Sequence, residues 1–181
     1  MKKIILLLIL MAQLAALPAS ASSITGGDRK RFYVIAGIGY ASSYPEGFLV
    51  EAGVEVRLFG NIHTRLMVDY YPGMDERKDN ITLKHMSGIT LYGIYKMKVS
   101  ETVDFRVKAG GHYSRIRAEM TALGLTFNTT MADIGFSAGA GFSWQWSNTL
   151  YLYGETTVKY LMLDEPWTWV KGQLGIMLRL R

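Results

Sequence analysis

The chain has 181 residues, with 20 Lys and Arg against 15 Asp and Glu and no Cys. The net charge of +5 is spread along the sequence and forms no basic run, which argues against nucleic acid as a partner. Without Cys there is no disulfide framework, and His63 and His85 stand too far apart to suggest a metal site; no cofactor is expected.

The elements are taken from the N-terminus. Lys2 and Lys3 form a short basic start, residues 4–17 are apolar apart from Gln13, and Ala19-Ser20-Ala21 offers the small residues of a cleavage site. Residues 1–21 therefore read as a secretory signal peptide, too short for the ~20 residues of a membrane span. Cleavage after Ala21 would leave 22–181 as one domain, with 22–31 as a polar tail.

From Phe32 onward the apolar residues recur every second position, the signature of a half-buried strand. The first segment, 32–40, is apolar on both faces. The next sets Val50, Ala52, Val54, Val56 and Leu58 against Glu51, Gly53, Glu55 and Arg57. A third sets Leu66, Val68 and Tyr70 against Arg65, Met67 and Asp69. In 81–97, Ile89, Leu91 and Tyr95 alternate with Thr90, Tyr92 and Lys96. A fifth sets Val103, Phe105, Val107, Ala109 and Tyr113 against Asp104, Arg106, Lys108, Gly110, His112 and Ser114. The sixth is the most regular. Ala132, Ile134, Phe136, Ala138, Ala140, Phe142, Trp144 and Trp146 alternate with Asp133, Ser137, Ser143, Gln145 and glycines. In the seventh, Tyr151, Tyr153, Glu155 and Lys159 share a face. The eighth sets Val170, Leu174, Ile176, Leu178 and Leu180 against Lys171, Gln173, Gly175, Met177 and Arg179.

The connections alternate between short (60–63, 99–102, 147–149) and longer (41–47, 72–80, 118–130, 162–167). Eight strands joined this way predict an all-β fold, an eight-stranded antiparallel up-and-down transmembrane β-barrel with short periplasmic turns and longer outer loops. Alternation alone does not say which face points outward, because a soluble barrel alternates too. Volume decides. An eight-stranded barrel has an interior just wide enough for its side chains, and the aromatic face would overfill it. The opposite face, rich in Gly and Ser, leaves room for long charged residues. Aromatic residues also fall in two groups. Phe59, Tyr95, Phe105, Trp144, Trp146 and Tyr151 lie beside the short turns. Tyr40, Tyr44, Phe48, Tyr70, Tyr71, Tyr113, Tyr160, Trp167 and Trp169 lie beside the longer connections. Two such belts are what the two membrane interfaces favour.

The inner face then carries Glu51, Glu55, Asp69, Asp104, Asp133 and Glu155 together with Arg57, Arg65, Arg106, Lys108, Lys159, Lys171 and Arg179. Buried charges require partners, so a salt-bridged plug filling the lumen is expected. The other reading of the same residues is a narrow gated conduit for ions or water. A third reading rests on His112 and Ser114, which share a strand face, with Glu119 as the third member of a hydrolytic triad.

The opening segment Phe32-Tyr33-Val34-Ile35-Ala36-Gly37-Ile38-Gly39-Tyr40 and the closing strand Gly172 to Arg181, with the architecture, resemble the OmpA/OmpX-like small outer-membrane β-barrels, including the opacity-type surface proteins. The resemblance spans the mature chain. It implies a non-enzymatic, surface-exposed structural protein of the cell outer membrane, similar to porins in build. Its expected partners are outer-membrane lipid and lipopolysaccharide, the barrel-assembly machinery, and a surface ligand held by the outer loops; it is expected to act as a monomer. The His-x-Ser spacing resembles that of outer-membrane lipid A deacylases, but Arg115 stands where those enzymes carry Asn. Barrels of the first family end in an outward aromatic residue; here the last outward residue is Leu180, followed by Arg181.

Overall fold

A computed structural model of the chain describes residues 31–42, 46–72, 76–78, 81–122, 125–162 and 167–180. The segment assigned to the signal peptide, the tail up to residue 30, and Tyr44 and Arg181 lie outside the described residues. The strands are β1 (Phe32–Ser42), β2 (Gly47–Phe59), β3 (Ile62–Tyr71), β4 (Glu76–Lys78), β5 (Ile81–Lys98), β6 (Val103–Ala122), β7 (Leu125–Gln145), β8 (Leu150–Leu161) and β9 (Trp167–Leu180). All pairings are antiparallel. β9 pairs with β1, and β3 pairs with β5, so the sheet closes on itself. β4 hangs on the end of β5 and takes no part in closure. The wall is thus an eight-stranded antiparallel barrel, as the periodicity predicts.

Closure gives every wall strand a paired neighbour on each side around the barrel, which is what lets a sheet stand in a medium without water. The register keeps like faces together: Glu51 lies opposite Asp69, and Glu55 opposite both Tyr33 and Arg65. One end of the barrel is closed by tight turns. Gly60 adopts φ +49, a left-handed conformation that costs Gly little, and Arg57 Nε donates to its carbonyl at 2.8 Å. In the other two turns a serine hydroxyl accepts the backbone N–H three residues on, Ser100 from Val103 and Ser147 from Leu150, each at 3.1 Å.

Burial settles the orientation. Ile38 and Leu174 are 67% exposed and Phe136 62%, whereas Glu55 and Arg65 are fully buried. This is a soluble protein turned inside out: an apolar wall suited to hydrocarbon around a charged interior.

Four details depart from the sequence reading. Tyr151, assigned to the belt beside the turns, and Tyr71 and Trp169, assigned to the belt beside the longer connections, all point inward and are buried. Their strand parity explains it: Tyr71 is two residues from Asp69, and Trp169 two from Lys171. The connection expected at 118–130 is mostly strand, since β6 and β7 stay paired to Ala122 and Leu125. The one at 72–80 contains β4. Finally, the interior is not uniformly ionic. At the end away from the tight turns, Ala41, Leu49, Tyr71, Leu83, Met86, Ile116, Ala118, Leu161 and Trp169 form an apolar plug inside the barrel.

Candidate functional site

The lumen below that plug is the site at which the chain gathers its chemistry. β2 and β8 supply Glu55 and Glu155, and the strands between and around them supply the cations. Glu55 is in ion-pair contact with Arg65 (2.8 Å), with Lys96 (2.7 Å) and with Arg106; His63 Nδ1 lies 3.0 Å from it. Glu155 is paired with Arg65 (3.0 Å), Arg106 (3.3 Å) and Lys108. Arg65 therefore links the two carboxylates, as does Arg106. Nearer the plug, Lys171 bridges Glu51 (3.0 Å) and Asp69 (3.4 Å), and Lys159 pairs with Asp69. Tyr153 donates to Glu51 at 2.6 Å, and Gln173 to Glu155 at 3.2 Å.

In these clusters four carboxylates, Glu51, Glu55, Asp69 and Glu155, meet six Lys and Arg side chains. Ring faces moderate the excess of positive charge. Lys96 lies 4.8 Å from the centroid of Tyr33, Lys108 4.8 Å from Tyr92, Arg65 5.5 Å from Tyr153 and Lys159 6.0 Å from Trp169. Such contacts gain strength when both partners are withdrawn from water.

Of the thirteen charged residues read from the sequence as lumenal, nine lie in these clusters: Glu51, Glu55, Arg65, Asp69, Arg106, Lys108, Glu155, Lys159 and Lys171. Arg57 is instead at the turn end, bonded to Gly60. Asp104, Asp133 and Arg179 are half-buried on the inner parity, and among the described residues none of the three forms an ion pair; Asp133 Oδ1 accepts the N–H of Ile134 at 2.7 Å. The alternation puts Lys96 on the inner face with Thr90 and Tyr92, and Tyr153 there with Glu155, yet the charge set read from the sequence omits Lys96. It also omits His63, which shares parity with Arg65, and the rings of Tyr33 and Trp169 were not placed inside.

His112 and Ser114 also point inward and are buried, but they do not form a nucleophile pair. Among the described residues neither ring nitrogen of His112 nor Ser114 Oγ finds a hydrogen-bond partner. His112 packs edge-on against Trp169 at 5.9 Å, under the plug. Glu119 sits on the opposite parity of β6 and pairs with Lys84 at 3.2 Å, half-exposed. The three residues of the hydrolytic reading are therefore not brought together. On that same outward face, Arg115 and Arg117 are exposed one and two steps beyond Tyr113.

No protein-family model and no curated protein sequence matches the chain. Solved structures do. The N-terminal β-barrel domain of Pseudomonas aeruginosa OprF is similar at TM-score 0.63 and 14% identity, covering 83% of this chain and 97% of that one. A major outer membrane protein from Thermus thermophilus is similar at 0.65 and 16%, covering 84% and 100%. Ail of Yersinia pestis, in complex with the heparin analogue sucrose octasulfate, is similar at 0.55 and 12%, covering 83% and 98%. With the closed eight-stranded wall and its ion-paired interior, these likenesses give the chain the fold of the small outer-membrane β-barrels, the OmpA/OmpX-like architecture.

Proposed function

We propose that the chain is a non-enzymatic structural barrel of the cell outer membrane, exported by a signal peptide removed after Ala21 and displaying its loop end outside the cell. The observation that carries this reading is the sealed lumen. Glu55, Arg65, Thr157 and Lys159 are fully buried across the middle, and Tyr71, Leu83 and Trp169 fully buried above them. A conduit needs a water-lined path, and the close packing of these described residues argues against one for a hydrated ion. The lipid A hydrolase reading fares no better, since Glu119 faces away from His112.

Arg115 and Arg117, set outward beyond the Tyr70 and Tyr113 ring positions, suit the phosphate groups of lipopolysaccharide, a contact of the kind Arg makes well. The sulfated ligand held by Ail makes a polyanionic surface ligand a reasonable second partner class. The last strand, with Leu180 outward, would be the segment read by the assembly machinery.

Planar-bilayer recording of the purified barrel tests the central claim. The expected result is no discrete opening over a wide voltage range. Openings whose size changes on Arg106→Gln or Glu155→Gln would replace the structural reading with the gated conduit.

A further inference from the structure

The tight-turn end of the barrel is unevenly charged. Arg57 of β2 and Arg179 of β9 flank β1, and Arg31 leads into it, so three guanidinium groups gather at the seam where the first and last strands pair. Arg57 N–H donates to the Arg31 carbonyl at 3.0 Å, which sets these two side by side; Arg179 lies opposite Tyr33, two residues further in. The sequence puts Arg29 and Lys30 immediately before Arg31, and Arg181 immediately after Leu180. The acids of this end stand elsewhere. Glu101 and Asp104 belong to the turn before β6 and to its first residues, four strands around the ring from β1, and Asp104 lies opposite Lys98 there.

Two observations say what these arginines meet. Deeper in the lumen Arg65 and Arg106 are answered by Glu55 and Glu155, but Arg179 is half-buried and, among the described residues, has neither an ion pair nor a side-chain hydrogen bond. A guanidinium so placed beside two others calls for an anion. The second observation is depth. On the same strand ends the outward residues Phe32, Leu58 and Leu180 are exposed and apolar. The cations therefore sit within a residue or two of the hydrocarbon edge, level with lipid headgroups. A soluble anion or an acidic protein segment would satisfy the charges alone. A phospholipid satisfies both features, because Arg binds phosphate through paired N–H donors while acyl chains cover the apolar side chains next to it.

We infer that Arg31, Arg57 and Arg179 form a binding site for one anionic phospholipid of the periplasmic leaflet, its phosphate held at the seam and its acyl chains lying over Phe32, Leu58 and Leu180. The lipid would clamp the first strand to the last where the barrel closes. The assignment to that leaflet rests on the reading that the tight turns face the periplasm, and the two are tested separately.

The test titrates the whole barrel, delipidated in a neutral detergent, with phosphatidylglycerol and counts bound lipid by native mass spectrometry, with phosphatidylcholine as the uncharged comparison. One phosphatidylglycerol is expected to bind, about tenfold or more in preference to phosphatidylcholine. Arg179→Gln is expected to weaken it about fivefold, since one cation near an anionic headgroup contributes on that order. Arg31→Gln, at an exposed side chain that folding does not need, is expected to do the same. Lys98→Gln removes one charge from the far side of the same rim and is expected to change nothing. Equal binding of the two lipids, or an equal loss on Lys98→Gln, overturns the site. Displacement of the lipid by an equal concentration of inorganic phosphate or of an oligoglutamate peptide assigns the arginines to a soluble anion or an acidic partner and overturns the lipid. The chain has no Cys, so Glu101→Cys, in a turn at this end, reports its side of the membrane. A membrane-impermeant maleimide is expected to label it only after the outer membrane is opened. Labelling on intact cells overturns the orientation, and the leaflet with it, even where the titration succeeds; a failed titration with the expected labelling overturns the site alone.

Discussion

Glu55 touches three buried cations and His63, and at that site the cost of removing one charge can be separated from the value of the pair. Replacing both members of a buried ion pair by apolar groups is often nearly neutral, but removing one leaves the other charged and unsolvated. Glu55→Gln would strand Lys96 and leave Arg65 and Arg106 to Glu155 alone. The expected loss is about 3–5 kcal/mol, read as a lower urea midpoint for unfolding from detergent micelles, followed by Trp fluorescence. Glu119→Gln breaks the half-exposed pair with Lys84 and is expected to cost no more than about 1 kcal/mol in the same assay. Equal costs for the two variants would mean that the lumenal network does not hold the barrel together. At this scale the sequence was informative about side and poor about partner. Parity placed Glu55 and Arg65 inside, but which cation meets which carboxylate depends on closure across the lumen, as with Arg65 and Glu155, 90 residues apart. No local pattern encodes that.

At the scale of strands, glycine spacing sets how closely neighbours approach. A Cβ added at Gly110 would run into the carbonyl oxygen of Leu91 on β5, whereas one added at Gly172, on the outward face of β9, would meet nothing within 4 Å. Gly110→Ala is therefore expected to force β5 and β6 apart and to cost about 1–3 kcal/mol. Gly172→Ala is expected to leave the folded fraction unchanged, as read from heat-modifiable mobility on gels. A barrel that tolerates both equally would show that the β5–β6 spacing is softer than the register implies. Strand existence and face were legible from the alternation at this scale, and strand ends were not. Residues 118–130 contain Thr, Asn and Gly, which read as a loop, yet Thr and Phe127 are also good strand formers, and pairing with β6 resolved the ambiguity in favour of strand.

For the whole molecule the deciding quantity is which face meets lipid, and the tryptophans report it. Trp144 and Trp146 lie on the outward parity beside the turns, 46% and 63% exposed, while Trp169 is fully buried in the plug, with Nε1 3.3 Å from Tyr71 Oη. The sequence placed all three in membrane belts. It was right where parity and belt agreed and wrong at Trp169, where proximity to a strand end was allowed to outweigh the parity shared with Lys171. Variants retaining a single Trp, reconstituted in lipids brominated at shallow or deep positions along the acyl chains, separate the two environments. Trp144 is expected to be quenched, and more by shallow bromine than deep, since it sits near an interface. Trp169 is expected to be nearly insensitive at either depth, because wall strands stand between it and every acyl chain. Strong quenching of Trp169 with Trp144 protected would require the apolar face to be turned inward, and the ion-paired lumen and the apolar plug would both fall with it.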